Sequence, residues 1–255
     1  MRTVLVFVHV PRTAGTTFTG ILERLYGRDA MLELYGSGPG EALEALGPER
    51  AAGIRVVVGH VAYGVHEELP WPCRYVTFLR DPVDRIVSHH RYVRSRPDHY
   101  LHEAAARMSL AEYVESCGPY EPNNDQTRLW AGVERGPSEP EMLPVAKGNL
   151  AGAVVGLTHR FDASIVLMRR LLGWRLPFYV PRNVTGRGSD EADLEPEVRD
   201  LIVARNALDV ELFSFAAERF ERQIGRLGPG FGWEVRAFRA LNALYRGARR
   251  PGSGA

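Results

Sequence analysis

The sequence has few cysteines, no long apolar segment and almost no net charge. Its 255 residues include only Cys73 and Cys117, too few for a disulfide framework and without metal-site spacing. No apolar run approaches the roughly 20 residues that span a bilayer, and the first strand pattern begins by Thr3, which leaves no room for a signal peptide. A net charge of +1 excludes a general nucleic-acid-binding protein, since no overall field attracts a polyanion. We therefore expect a cytoplasmic protein with free thiols, no nucleic-acid partner and no membrane span.

The remaining composition predicts a globular α/β protein. Hydrophobic residues make up 45% and charged residues 25% of the chain, as in folded domains. Apolar runs alternate with helical patterns, which predicts a mostly parallel central sheet flanked by helices. We predict strands at 3–10, 31–34, 55–58, 75–79 and 153–157, helices at 16–26, 82–94, 109–115, 161–172, 196–206 and 209–226, and a mobile surface loop at 135–148.

No shift in composition marks a domain boundary. We predict one domain over 1–230 and, over 231–255, a basic amphipathic helix with a frayed tail. Such a helix either packs its apolar stripe on the domain or contacts an anionic acceptor or membrane. We favour packing, because it is the commoner arrangement. The sequence leaves the oligomeric state open.

The segment from Val4 to Phe18 predicts an anion-binding site. An apolar strand pattern ends near Pro11, a short loop contains Gly15, and a helical pattern follows Thr16 and Thr17. This arrangement directs backbone N–H groups and the positive end of a helix dipole at one point. Arg12 adds a positive charge, so the loop suits a phosphate or a sulfate. The alternative is an ordinary strand–turn–helix junction with a threonine N-cap.

The loop differs from the usual nucleoside triphosphate loop. The sequence from Pro11 to Thr17 lacks the lysine and one of the glycines of G-x-x-x-x-G-K-[ST]. No nearby acidic residue is an obvious magnesium ligand. These differences argue against an ATP-dependent kinase, which stays as an alternative because it shares the strand–loop–helix arrangement.

The segment from Arg74 to Tyr92 repeats the strand–loop–helix plan. Arg80 follows a strand, at the carboxyl edge of the sheet where open α/β folds bind ligands. Pro82 suits the first turn of a helix, and Ser88 lies two turns along it. Arg80 and Ser88 can hold one phosphate together, or Arg80 can simply pair with Asp81. Two phosphate sites on one edge fit a nucleotide such as 3′-phosphoadenosine 5′-phosphosulfate (PAPS).

These motifs resemble those of sulfotransferases. His9-Val-Pro-Arg-Thr-Ala-Gly-Thr-Thr17 is similar to their 5′-phosphosulfate loop, and Leu79-Arg-Asp-Pro-Val-Asp-Arg-Ile-Val-Ser88 to their 3′-phosphate motif. The likeness is to the group that includes the heparan sulfate 2-O-sulfotransferases and bacterial relatives. It continues through 59–64, 124–128, 155–162, 172–174, 183–185 and 206–220, and so spans roughly residues 3–222.

The resemblance implies a P-loop-like α/β fold in three layers. It also implies a PAPS-dependent sulfotransferase that acts on an acceptor hydroxyl of a carbohydrate or small natural product. One departure is visible, because the family carries lysine where this chain has Arg12. Arginine keeps the charge but does not readily donate a proton to a leaving group. The implied donor-binding residues are Arg12, Thr13, Ala14, Gly15, Thr16 and Thr17 for the 5′-phosphosulfate, with Arg80, Ser88 and Arg187 for the 3′-phosphate.

His60 is the predicted general base. It follows the third strand and Gly59, on the same edge as Arg12 and Arg80, and the family's Gly-His-Val motif matches it. An unperturbed imidazole titrates near neutrality and can accept a hydroxyl proton. The alternative is a histidine held at a strand end by backbone groups.

Asn124, Gln126 and Arg128 are candidates for the acceptor side, although a capped helix start explains them equally well. The eight histidines show no ligand spacing, so we expect no metal. A fold-alike that binds phosphonucleotides without turnover is the remaining alternative.

Overall fold

A computed structural model describes residues 3–36, 38–118, 120–182 and 194–249. Five parallel strands form one sheet in the order β2-β3-β1-β4-β5. This confirms the predicted α/β fold with a mostly parallel sheet flanked by helices. The strands are β1 Val4–Val8, β2 Met31–Leu34, β3 Val56–Gly59, β4 Cys73–Leu79 and β5 Val154–Leu157.

The central strand β1 is buried over its whole length. The Phe7 ring packs edge-on against Phe18, and the complete burial is expected for a parallel sheet covered on two sides. Val8 lies beside Gly59 of β3 and Thr77 of β4, so these chains leave the sheet at nearly the same level. The loops after β1, β3 and β4 therefore meet at the carboxyl edge.

Twelve α-helices surround the sheet within the described residues. The predicted helices at 82–94 and 161–172 have the predicted bounds, and the others differ by one or two residues at their ends. The helices are α1 Gly15–Tyr26, α2 Pro39–Leu46, α3 Pro48–Gly53, α4 Pro82–Arg94, α5 His102–Arg107, α6 Leu110–Cys117, α7 Asp125–Trp130, α8 Met142–Ala151, α9 Phe161–Leu172, α10 Pro196–Arg205, α11 Ala207–Arg226 and α12 Gly230–Ala248.

The predicted loop at 135–148 is wrong in its second half. Helix α8 begins at Met142, and its buried Ala146 and Leu150 join the main core. Pro144 suggested a loop, but it lies in the first helical turn, where the missing N–H has no helical partner to lose.

The last helix, α12, packs on the body through one face. Phe231, Val235 and Phe238 of this face belong to the main hydrophobic core. The opposite face is exposed, with Trp233 70% and Leu244 72% accessible. The division of the chain near residue 230 stays a prediction. None of the helices described is long and apolar enough to cross a membrane.

Candidate active site

The loop after β1 has an unusual backbone conformation. Arg12 and Ala14 each have a φ of 68°, a left-handed conformation that costs energy for residues other than glycine. Helix α1 begins directly afterwards at Gly15, and no side chain caps its first turn. The first N–H groups of a helix lack intrahelical partners. The loop is therefore shaped to present backbone donors to an anion, and the alternative of a threonine N-cap is not observed.

Gly15 is required by a close contact with His9. A Cβ atom at this position would lie 1.8 Å from Nε2 of His9, which is far closer than two non-bonded atoms can approach. The His9 ring also stacks on Phe7. Burial, followed by the nearby His60 and Arg12, lowers the pKa of His9 to about 3. His9 is thus a neutral packing residue beneath the loop at physiological pH.

A cavity of about 350 Å³ opens in front of the loop. We call it the loop cavity. Residues from the ends of β1, β4 and β5 line it, with an aromatic wall from Phe161 and Tyr179. The predicted donor-binding residues that line it are Arg12, Ala14, Gly15, Thr16, Thr17 and Arg80.

Thr13 and Thr17 stabilise the loop through their hydroxyl groups. Thr13 is fully buried and donates to the Val10 carbonyl at 2.8 Å. Thr17 Oγ1 accepts a hydrogen bond from the Arg182 N–H at 3.0 Å. Thr16 is exposed and, like Thr17, lines the loop cavity.

Arg12 is held in place by two residues of α4. Its Nε and Nη2 donate to Ser88 Oγ at 3.1 and 3.0 Å. The guanidinium lies over the Tyr92 ring, 4.6 Å from the centroid. Burial and the nearby charge of Arg80 lower the pKa of Arg12. The structure therefore joins Ser88 to Arg12, a pairing that sequence reasoning missed when it grouped Ser88 with Arg80.

Arg80 is positioned through its backbone by Gln126. The Arg80 N–H donates to Gln126 Oε1 and Gln126 Nε2 donates to the Arg80 carbonyl, each at 3.0 Å. The Arg80 side chain donates to the Arg12 carbonyl at 3.4 Å and lies 3.9 Å from Asp84. Burial lowers the pKa of Arg80, and Asp84 partly opposes this.

We expect Gln126→Ala to weaken nucleotide binding without contacting the nucleotide. Losing both hydrogen bonds frees the Arg80 backbone, and we expect the Kd for adenosine 3′,5′-bisphosphate (PAP) to rise about tenfold, equivalent to about 1.4 kcal/mol. Calorimetric titration measures this. Asn149→Ala is the matched control, because that amide bonds the Trp130 carbonyl at 2.9 Å outside the site. Equal Kd values for the two variants would contradict the positioning role.

His60 is oriented by the backbone of His9. Nδ1 of His60 lies 2.7 Å from the His9 carbonyl oxygen, which can only accept, so Nδ1 carries the proton. The unprotonated atom of the neutral ring is then Nε2. The His60 side chain is exposed at the carboxyl edge, so Nε2 is available to accept a proton from a ligand.

His60 lines a second cavity of about 360 Å³. We call it the histidine cavity. It also contains His89, His99, Glu121 and Arg128. Arg12 lines both cavities and is their common wall. A molecule in the histidine cavity would thus contact both the His60 ring and Arg12.

A buried ionic network supports this wall. Arg85, fully buried on α4, lies 3.8 Å from Asp125 and 3.6 Å from Asp209, and donates to the Pro122 carbonyl. Asp209 accepts from the Thr127 N–H at 2.7 Å. Its burial raises its pKa, against the effect of Arg85. Sequence reasoning missed this network, although arginine on the apolar face of a helical pattern is a signal for a buried partner.

The three candidate acceptor-side residues have different surroundings. Arg128 lines the histidine cavity and pairs with Asp125. Asn124 instead accepts from the Leu208 and Asp209 N–H groups at 3.1 Å and so holds the start of α11. Gln126 is the residue that holds the Arg80 backbone. Arg187 lies outside the described residues.

Comparison with known proteins identifies the family. Residues 1–142 match the sequence profile described as "Sulfotransferase family". The chain belongs to the sulfotransferase family. This confirms the prediction from the motifs at 9–17 and 79–88, which lie inside the matched region.

The individual proteins that resemble this sulfotransferase have low sequence identity to it. A relative from Sus scrofa, galactose-3-O-sulfotransferase 2, is 26% identical over 207 residues, which cover 74% of this chain and 50% of the relative. The chain thus spans about half the length of that curated relative. A solved structure of mouse sulfotransferase SULT7A1 complexed with PAP matches with a TM-score of 0.49 and 14% identity, over 84% of this chain and 89% of that one.

Among the residues that the structure describes, no group of three or more histidine, cysteine, aspartate or glutamate side chains is arranged to hold a metal ion. The positive charges of the site are supplied by arginines.

Proposed function

We propose that this chain transfers a sulfuryl group from PAPS to an acceptor hydroxyl. The observation that carries the proposal is the wall formed by Arg12, which lies between the loop cavity and the cavity of His60. Family membership supports the same reaction. The Sus scrofa relative is named for transfer to galactose, so a carbohydrate hydroxyl is the proposed acceptor.

The loop cavity suits the donor nucleotide chemically. Backbone N–H groups of a helix N-terminus together with two arginines favour phosphate and sulfate oxygens. Arg12, Gly15, Thr16 and Thr17 would hold the 5′-phosphosulfate and Arg80 the 3′-phosphate. Ser88 would act through Arg12, to which it is hydrogen-bonded. The rings of Phe161 and Tyr179 supply an apolar wall for a purine.

The proposed reaction requires a base that takes the acceptor proton. It also requires a positive group that stabilises the negative charge on the transferred group and the leaving phosphate. His60 Nε2 takes the proton of the acceptor hydroxyl, and the hydroxyl oxygen forms a bond to sulfur. The bond between sulfur and the 5′-phosphate oxygen breaks, which leaves a sulfate ester and PAP. Arg12 stabilises the charge that develops on the transferred group and the leaving phosphate.

The donor proposal predicts selective stabilisation by PAP. A ligand at 100 times its Kd adds about 2.7 kcal/mol of stability, which raises Tm by roughly 5–10 °C for a protein of this size. We expect PAP to give this shift, and Arg80→Ala to abolish it. Differential scanning fluorimetry with PAP, ADP and ATP–magnesium as separate ligands measures this.

Stabilisation by ATP–magnesium alone would overturn the proposal in favour of a kinase. Binding of PAP without transfer of radiolabelled sulfate to any hydroxyl acceptor would instead indicate a binding protein without turnover. Asn149→Ala serves again as the control for general destabilisation, since its hydrogen bond to Trp130 lies outside the site.

A further inference from the structure

One wall of the loop cavity is held in place by helix α12. We call residues 174–182, which follow α9, the strap; they contribute Tyr179 to the lining of the cavity. We propose that Asn242 and Arg239 of α12 are positioning residues for the donor purine, acting through Tyr179. This inference rests on the proposed function, because it concerns the cavity that the proposal assigns to PAPS.

The strap depends on side chains to satisfy its backbone. It forms neither helix nor strand, so its N–H and C=O groups need other partners. Thr17 Oγ1 accepts a hydrogen bond from the Arg182 N–H at 3.0 Å and donates to the Arg182 carbonyl at 3.2 Å. The Tyr179 N–H donates to Asn242 Oδ1 at 2.7 Å. The strap is thus fixed at two points, one on α1 and one on α12.

Asn242 is a polar residue in an otherwise apolar place. Its side chain is 1% exposed, and the other buried residues of α12 are Phe231, Val235 and Phe238. A buried amide costs free energy unless it is hydrogen-bonded. The bond to the Tyr179 N–H offsets this cost. Because an apolar side chain would serve packing equally well, the amide at this position indicates a role in holding Tyr179.

The Tyr179 ring is held as well as its backbone. Its hydroxyl donates to Asp162 Oδ1 at 2.7 Å, and Asp162 Oδ2 accepts from Arg239 Nε at 2.9 Å. Burial, and then the hydrogen bond to Asp162, raises the pKa of Tyr179, so the hydroxyl keeps the proton that it donates. Phe238 stacks on the ring with 6.4 Å between centroids, and the Arg246 guanidinium lies 4.9 Å from its centroid.

These contacts order the wall before a ligand arrives. A side chain that is already fixed loses little conformational entropy on binding, which favours affinity. Without Asn242, the strap would have to be ordered by the nucleotide itself. Since the phosphates are assigned to Arg12 and Arg80, the loss should fall on the part of the binding energy that comes from the base.

Two ligands separate the base from the phosphates. PAP and 1-deoxyribofuranose 3,5-bisphosphate carry the same two phosphates, but only PAP has the purine. We expect wild-type protein to bind PAP at least tenfold more tightly. Asn242→Ala should raise the Kd for PAP about tenfold, the equivalent of one hydrogen bond, and leave the Kd for the base-free ligand within about twofold. Calorimetric titration, by competition for the weaker ligand, measures both.

The control for Asn242→Ala is Val235→Ala. It shortens a buried residue on the same face of α12, two turns away, and should lower Tm without changing either Kd more than about twofold. A loss of affinity in Asn242→Ala but not in Val235→Ala cannot come from loosened packing of α12 alone.

Arg239→Ala tests the same proposal at an exposed position if Asn242→Ala does not fold. The Arg239 side chain is 57% exposed, and its loss should raise the Kd for PAP about threefold, in line with a surface ion pair, with no change for the base-free ligand. Arg236→Ala is its matched control, because that exposed guanidinium lies 4.0 Å from the centroid of Trp233. We expect wild-type Kd values from it.

Three results would overturn the inference. One is an equal rise in Kd for both ligands in Asn242→Ala. Another is an unchanged Kd for PAP in Asn242→Ala or, where that variant is unfolded, in Arg239→Ala. The third is equal affinity of the wild-type protein for the two ligands, which would leave the phosphate sites standing without a purine wall. Failure of the wild-type protein to bind PAP at all would instead reject the proposed function.

Discussion

His60→Ala is expected to lower kcat by about 10²–10⁴-fold, the usual contribution of a positioned general base, and to leave the Kd for PAP within about twofold of wild type. The physical reason is that His60 lines the histidine cavity and not the loop cavity. Removing it takes away the proton acceptor but no contact of the nucleotide. Single-turnover sulfate transfer and calorimetric titration with PAP measure the two quantities.

The control for this variant is His159→Ala. His159 is exposed and its ring lies 5.9 Å from Phe213, so its loss removes an imidazole outside either cavity. We expect wild-type turnover from it. If His60→Ala kept more than about a tenth of the wild-type rate, another group would have to be the base.

Arg12 is expected to give the second large effect. Arg12→Ala removes the charge shared by the two cavities, and we expect kcat to fall at least 10²-fold, as when one preorganised donor to a developing anion is lost. The Kd for PAP should rise as well. Arg12→Lys keeps the charge, but one ammonium cannot reproduce the paired hydrogen bonds to Ser88 together with stacking on Tyr92. We expect it to lose about tenfold.

Arg96→Ala controls for the stacking on Tyr92. The Arg96 guanidinium lies 5.5 Å from the centroid of the same ring but does not line either cavity. Its removal should leave turnover within about twofold. Equal losses from Arg96→Ala and Arg12→Ala would show that the aromatic support matters and that the charge of Arg12 does not.

The sheet and the loops at its carboxyl edge could be predicted from the sequence because their signals are local. β1 is a continuous apolar run, and α4 and α9 show helical spacing over about three turns. The family resemblance also rested on short contiguous motifs. Since parallel strands end at one edge, the prediction placed Arg12, His60 and Arg80 together before any contact was known.

Shorter elements were missed because their stability comes from distant partners. Helix α7 has six residues, too few to be stable alone, and is held by Asp209 of α11. Helix α8 follows a segment rich in proline and glycine and is stabilised by burial of Ala146 and Leu150. Contacts with distant residues leave no local pattern in the sequence. Both segments therefore resembled loops or helix caps.

The fold class, the family and the strand-end positions of Arg12, His60 and Arg80 follow from local patterns in the sequence. Tertiary structure decided what these residues do to one another: Ser88 holds Arg12 across 76 positions, and Gln126 holds Arg80 across 46. It also decided that Arg12 lines both cavities and that Arg128, near His60, is paired with Asp125. Strand and helix patterns depend on neighbouring residues, whereas cavities and charge pairing depend on which side chains packing brings together.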